Sequence, residues 1–208
     1  MSEIKVNKIS PATGTDITLG DSGDTLTVPS GGTIVNSGTA TGFGSSGYTH
    51  ATQITTTSGT AHTFTGIPSG TTSIIMGLQG VSLSSNNDIL YVTLGDAGGL
   101  ETSGYLSVGI QTNTTSISNT VRHTAAFGLT TNDFDSTKNA NGTIHLTLQD
   151  ATTFTWTCAS NLGNGWTGDA QLWVQGGSKS LSAELTQVSL TNSGTNTFDA
   201  GTVNIMYQ

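Results

Sequence analysis

The sequence has few charged residues and one cysteine, and each shortage excludes a class of protein. Only 9% of its 208 residues are charged, whereas an ordinary soluble domain carries about 25%. Its five basic residues cannot form a phosphate-binding patch, so we expect no binding to nucleic acid. The single cysteine, Cys158, excludes an intramolecular disulfide framework, and its strand-like surroundings predict a buried, unreactive thiol.

Long apolar runs are also missing from the sequence. No run approaches the roughly 20 residues that a membrane-spanning helix needs, so we expect no membrane insertion. The opening Met-Ser-Glu-Ile-Lys-Val lacks the apolar region of a signal peptide, and we therefore expect no secretion by that route. A formal net charge of only −8, together with many β-branched residues, argues against disorder for most of the chain.

No catalytic or metal-binding pattern stands out. Gly-Phe-Gly-Ser-Ser-Gly at 42–47 has the spacing of a dinucleotide fingerprint, but no helix pattern follows it, so a glycine linker is the better interpretation. Asp133-Phe134-Asp135 lacks the spacing of a calcium loop. The three glutamates have no neighbouring Asp, which disfavours a polysaccharide-cleaving site. The four histidines lack metal-ligand spacing: His50, His62, His123 and His145. We predict a chain with no enzymatic activity, no cofactor and no metal, with a calcium site at 133–135 and a histidine cluster across copies as the alternatives.

Threonine, serine and glycine are unusually abundant in the sequence. They account for 92 of the 208 residues. Thr is stiff at χ1 and Gly loses much backbone entropy on folding, so neither favours helix. Thr covers the wet face of a strand well. The composition therefore predicts an all-β protein.

A short irregular repeat occupies the N-terminal part of the chain. Strand-like stretches at 16–19, 25–28 and 33–35 are separated by the turn-rich segments 20–24 and 29–32. Too few apolar side chains are present to enclose a core in one chain, but stripes from three copies can meet on an axis. We predict a trimeric β-stalk over residues 1–45, a linker to about residue 49, and a stalk core built from five side chains: Ile17, Leu19, Leu26, Val28 and Ile34.

Residues 50–208 show longer strand patterns separated by Gly, Asn and Asp clusters. The predicted strands are 52–57, 61–67, 72–82, 88–95, 104–111, 121–130, 142–149, 152–158, 169–175, 180–190 and 202–207. Fully apolar runs and alternating runs occur together, which indicates two packed antiparallel sheets. We predict an antiparallel, jelly-roll-like β-sandwich.

The tryptophans separate into core and loop positions. Trp156 and Trp173 lie inside strand patterns and are predicted to be core. Trp166 lies in a Gly/Asn-rich segment, where it either covers the core as a lid or is an exposed contact residue. The candidate binding loops are 113–119, 132–141 and 161–169. In the third, an aromatic face beside polar groups suits a sugar, and the predicted contact residues are Trp166, Asn161, Asn164 and Asp169.

Several segments of the C-terminal part resemble a domain found at the ends of bacteriophage virion proteins of the tail-fibre type. The matching segments, in the family's order, are 64–70, 80–82, 94–105, 156–158, 176–183 and 197–207. Residues 2–44 look like the start of fibre-like proteins in phages of marine bacteria. The resemblance implies attachment to the virion at one end of the protein and a free tip at the other, and it supplies no catalytic residues.

These observations and the resemblance together lead to one expectation about function. We expect a homotrimeric, non-enzymatic tail fibre that docks on other virion proteins through its N-terminus and contacts a host-surface glycan or protein through its C-terminal domain. It would be made in the bacterial cytoplasm and located in the virion. The alternative is a head fibre or decoration protein with a structural role on the capsid.

Overall fold

The chain divides into two compact units, Met1–Gly44 and Ser45–Gln208, which we call the N-terminal unit and the C-terminal domain. A computed structural model describes residues 9–11, 13–18, 20–35, 47–85, 88–113, 115–131, 134, 136–165, 168 and 170–208, with only the backbone described at 118–121.

The C-terminal domain is built from strands joined by turns. Those in the first half of the domain are β1 (Thr49–His50), β2 (Ile54–Thr55), β3 (Ala61–Thr65), β4 (Ser73–Leu83), β5 (Leu90–Asp96), β6 (Gly99–Leu100) and β7 (Leu106–Asn113). Those in the second half are β8 (Ile117–His123), β9 (Phe127–Gly128), β10 (Ala140–Asp150), β11 (Thr155–Asn164), β12 (Gln171–Ser180), β13 (Gln187–Asn192) and β14 (Phe198–Tyr207). The described residues contain no helix, and therefore none that is long and apolar enough to cross a membrane.

The strands form two antiparallel sheets. The large sheet has nine strands in the order β1-β14-β4-β10-β11-β12-β7-β8, with β2 also paired to β14. The small sheet has five strands in the order β3-β13-β5-β6, with β9 also paired to β5. Buried side chains from both sheets belong to one hydrophobic cluster. The prediction of an all-β fold with antiparallel, sandwich-like sheets is therefore confirmed.

The strand register defines two opposite ends of this domain. At one end, which we call the base, Thr49 pairs with Tyr207 and Thr155 pairs with Ser180. At the other end, which we call the tip, Gln171 pairs with both Asn164 and Asn113. The ten residues of β11 span about 30 Å at roughly 3.3 Å per residue, and this is the distance between base and tip.

Alternation along the strands places the predicted core residues inside. Trp156 and Cys158 of β11 and Trp173 of β12 are buried, as predicted. The Cys158 thiol donates a hydrogen bond to Gln175 Oε1 over 3.2 Å, and burial raises the pKa of this thiol. It is therefore a protonated structural thiol rather than a nucleophile.

Part of the interior between the sheets is polar, which the sequence patterns did not predict. Gln175 is buried and lies at the centre of this region. Its Nε2 donates to Ser107 Oγ over 3.1 Å, and Ser107 Oγ accepts from the backbone N–H of Gly128 over 3.2 Å. Gln111 is also buried and accepts a hydrogen bond from Thr131. These bonds offset the cost of burying polar side chains.

Several predicted strand bounds were wrong. The segment 121–130 contains parts of two strands, β8 and β9, which belong to different sheets. The segment 52–57 contains only the short β2. Strand β11 begins at Thr155 and continues to Asn164, beyond the predicted end at 158. Cross-strand pairing with β10 and β12 keeps the Asn- and Gly-rich stretch 161–164 extended despite its turn-forming composition.

The described residues of the N-terminal unit form turns. The backbone N–H of Asp24 donates to Asp21 O over 3.0 Å, and that of Gly32 donates to Pro29 O over 2.9 Å. The turns predicted at 20–24 and 29–32 are thus confirmed. The strands expected at 16–19, 25–28 and 33–35 are not present among the described residues of these segments.

Candidate functional site

The described residues at the ends of the three predicted binding loops lie at the tip. The turn between β7 and β8 adjoins the segment between β11 and β12, because Asn113 pairs with Gln171. The segment before β10 reaches the same end, because Asn141 pairs with Gly163. Antiparallel pairing therefore brings segments that are far apart in the sequence to the same end of the domain.

In the first candidate loop, 113–119, hydrogen bonds connect Asn113 with Thr115 and Ser116. Asn113 Oδ1 accepts hydrogen bonds from the backbone N–H of Thr115 over 3.1 Å and that of Ser116 over 2.8 Å. It also accepts from both hydroxyl groups. The backbone N–H of Asn113 donates to Ser116 O over 3.0 Å. These hydrogen bonds hold Thr115 and Ser116 against the Asn113 side chain.

The second loop, 132–141, is anchored to the core. Phe134 is fully buried and its ring meets that of Trp173 edge-on, with ring centroids 5.6 Å apart. Lys138 is also buried, and β10 begins at Ala140. The acidic residues of the alternative calcium site, Asp133 and Asp135, lie outside the described residues.

The third predicted loop, 161–169, begins within strand β11. Asn161 and Asn164 both lie in β11 rather than in a loop. Asn161 is exposed on the outer face of the large sheet, whereas Asn164 is buried, so the two amides lie on opposite faces of β11. Trp166 and Asp169 lie outside the described residues, in the segment that joins β11 to β12.

An exposed apolar surface on the large sheet was missed by the sequence interpretation. In β7 the polar side chains of Ser107 and Gln111 face the interior. This is the reverse of an ordinary surface strand, which turns its apolar side chains inward. The apolar side chains of β7 face outward, beside exposed residues of β8 and β12. We call these five the outer apolar face: Leu106, Val108, Ile110, Ile117 and Leu172. The available signal was the alternation of 106–111, which shows the two faces but not which one is buried.

The predicted stalk residues are exposed in the single copy. Leu26 has 71% of its surface exposed, and Ile17, Val28 and Ile34 are between 41% and 58% exposed. Leu19 lies outside the described residues. Apolar side chains at this level of exposure have no core of their own within the described part of the N-terminal unit.

The histidines do not form a metal site in the described residues, where no three His, Cys, Asp or Glu side chains are grouped for metal binding. His50 and His145 are exposed. His62 packs against the Phe198 ring, with centroids 4.8 Å apart. His123 is buried and its Nδ1 lies 3.2 Å from Tyr91 Oη. Burial lowers the pKa of His62 and of His123.

A charged cluster at the base is fully paired. The ammonium group of buried Lys179 forms an ion pair with Glu101 and donates to Ser180 O over 2.7 Å. It also lies 5.5 Å from the centre of the Tyr105 ring. The Ser182 hydroxyl donates to Asp96 over 2.6 Å. Because each charge has a protein partner, this cluster ties the β12–β13 loop to β5 and to the segment that follows β6.

In the comparisons with known proteins, no family model, curated protein or solved structure matches the chain.

Proposed function

We propose that this chain is a non-enzymatic bacteriophage virion fibre protein of the tail-fibre type. It acts as a homotrimer with an N-terminal β-stalk, and its C-terminal domain is a jelly-roll-like sandwich that contacts the host surface. The fibre docks on other virion proteins through its N-terminus. The observation that carries this proposal is the separation of the two ends of the C-terminal domain.

The polypeptide enters the C-terminal domain at the base. Thr49 pairs with Tyr207 there, and Tyr48 Oη lies 3.0 Å from Ser73 Oγ. The described ends of the three candidate loops lie at the tip, about 30 Å away along the strands. A receptor-binding module attached at its base needs its contact loops at the opposite end, and a rigid sandwich supports such loops without disturbance to its core.

Two exposed apolar surfaces favour assembly into a homotrimer. The N-terminal unit exposes Leu26 and its neighbours in the predicted stalk core, and the C-terminal domain exposes the outer apolar face. Contiguous exposed apolar surface marks an interaction site on most soluble proteins. Association of identical copies would cover both surfaces.

Competition for host adsorption tests the contact function. Purified full-length protein should block adsorption of the phage that carries it, and Trp166→Ala should remove this block while the melting temperature stays nearly unchanged. Tyr48→Ala is the matched control, because Tyr48 is an exposed aromatic residue at the base, and it should still block adsorption.

Two results would contradict this proposal. Full-length protein that does not compete would argue against host contact and favour the decoration role. A large fall in melting temperature for Trp166→Ala, with competition intact, would make Trp166 a lid over the core and leave the tip without its predicted contact residue.

A further inference from the structure

A pocket of about 150 Å³ lies at the base of the C-terminal domain. It is lined by residues 70–72 of the β3–β4 loop, by Ala151 of the β10–β11 turn and by Glu184 of the β12–β13 loop. Its large apolar walls are Leu148, Phe154, Trp156 and Leu185. A cavity of this volume, about 150 Å³, holds one six-membered ring or an alkyl chain of similar bulk.

Hydrogen bonds tie the surrounding segments together, so the pocket exists before any ligand binds. Glu184 Oε1 accepts from the backbone N–H of Gly70 over 2.8 Å and from Ser69 Oγ over 2.9 Å. The Leu148 N–H donates to Thr72 O over 2.8 Å. The Leu181 N–H donates to Phe154 O over 3.1 Å. A preformed pocket spares a ligand the cost of ordering its walls.

Phe154 occupies a strained backbone position in the pocket wall. Its φ of 49° is the only positive value among the described non-glycine residues. This conformation suits Gly or Asn in a turn and is costly for a bulky side chain. The Phe154 ring is half-buried against the core. The turn therefore keeps an aromatic ring at this position at the expense of backbone strain.

Glu184 supplies a negative charge beside these apolar walls. The hydrogen bonds from the Gly70 N–H and the Ser69 hydroxyl lower the pKa of Glu184, so its side chain is a carboxylate at neutral pH. Both bonds end on Oε1, and Oε2 has no hydrogen-bond partner among the described residues. The pocket thus offers an apolar volume with one anionic acceptor at its edge.

We infer that this pocket binds a lysine side chain of a partner protein, with the alkyl chain against Phe154 and Trp156 and the ammonium group on Glu184 Oε2. Lysine has an apolar stem of suitable bulk and a cationic end. The choice of a cationic side chain rests on charge complementarity, because the apolar lining of the pocket adjoins the Glu184 carboxylate.

A second copy is a poorer source of this cation. The chain has five basic residues, and two of the three in the C-terminal domain, Lys138 and Lys179, are buried. Arg122 is exposed, but its guanidinium group is planar and lacks a linear four-carbon stem. Lys5 and Lys8 lie outside the described residues, and the experiment therefore includes them.

The test uses full-length protein and two small probes, Nα-acetyl-lysine methylamide and its neutral isostere Nα-acetyl-norleucine methylamide. Binding is followed by NMR chemical-shift titration. The lysine probe should bind about threefold more tightly than the norleucine probe, because an ion pair with an exposed carboxylate contributes only modestly to binding. Glu184→Gln keeps an acceptor for Gly70 and should abolish this difference. Asp16→Asn, which removes an exposed carboxylate in the N-terminal unit, should preserve it.

The inference is overturned if both probes bind equally, if neither gives saturable shifts, or if Glu184→Gln retains the preference for lysine. Tighter binding of the lysine probe after combined Lys5→Gln and Lys8→Gln substitution would also overturn it, because the chain's own N-terminus would then occupy the pocket. These outcomes are independent of adsorption competition, so failure of the pocket and failure of the fibre function are distinguishable.

Discussion

At the scale of single residues, close backbone contact in the large sheet depends on glycine. Gly201 of β14 has a φ of 95°, and a Cβ atom placed there would lie 2.5 Å from the backbone carbonyl of Gly80. The pairing of β4 with β14 shifts register on both sides of Ala200. Gly201 therefore provides both the left-handed conformation and the space that this irregular pairing needs.

Gly201→Ala should lower the free energy of unfolding by about 1–3 kcal/mol, because the new methyl group meets backbone and the φ value is unfavourable for alanine. The matched control is Gly176→Ala in β12, where nothing lies within 4 Å of the added Cβ. That variant should stay within about 0.5 kcal/mol of the parent. Urea denaturation measures both, and equal stability of the two variants would contradict this account.

Single residues also show the limit of prediction from the sequence. Trp156, Trp173 and Cys158 were predicted to be core because apolar and polar positions alternate around them. Gln175 could not be identified, because its burial depends on Ser107 and Cys158 from other strands. A polar side chain is buried when partners satisfy it, and those partners are known only once the sheet is formed.

At the scale of elements, the sequence of β7 does not indicate which face of the strand is buried. Its alternation is evident, but the apolar side faces outward and the polar side meets Gln175 and Thr131 in the interior. Similarly, residues 161–164 have the composition of a loop yet form the end of β11. In both cases, pairing and hydrogen bonds across strands outweigh local preference.

Val108→Asp should leave the fold intact but weaken trimer formation, because Val108 is exposed in the outer apolar face and a charge would be desolvated in an interface. Leu26→Asp in the N-terminal unit should weaken the trimer for the same reason. Thr143→Asp is the control, since Thr143 is exposed in β10 away from the apolar face. Light scattering at micromolar concentration measures the mass, and a monomeric parent would contradict the assembly model.

At the scale of the whole molecule, side chains with lowered pKa values in the C-terminal domain make the stability of the fold decrease in acid. Burial lowers the pKa of His62 and His123 below the ordinary value of 6.5, so the unfolded chain binds their protons more readily. The resulting loss of stability begins as the pH falls through 6.5. Hydrogen bonds from Ser182 and Gly98 lower the pKa of Asp96 below 3.8. The contribution of the Asp96 carboxylate to stability is lost at lower pH, as the pH falls through its folded-state pKa.

The melting temperature should therefore be highest near neutral pH and fall in two stages on acidification. His62→Phe should reduce the first stage of this fall in stability, because the ring contact with Phe198 is kept and the half-buried imidazole is removed. His145→Phe is the control, because His145 is exposed, and its profile should match that of the parent. A His62→Phe profile identical to that of the parent would show that this histidine does not contribute to the first stage.

The location of the protein on the virion tests the central claim most directly. Immunogold electron microscopy, with antibodies raised against the C-terminal domain, should place gold at the free ends of fibres attached to the tail. The account predicts this distal label because the base and the tip of the domain lie at opposite ends of its strands. Gold spread over the capsid shell, or intact virions without label, would contradict a tail fibre that presents its tip to the host.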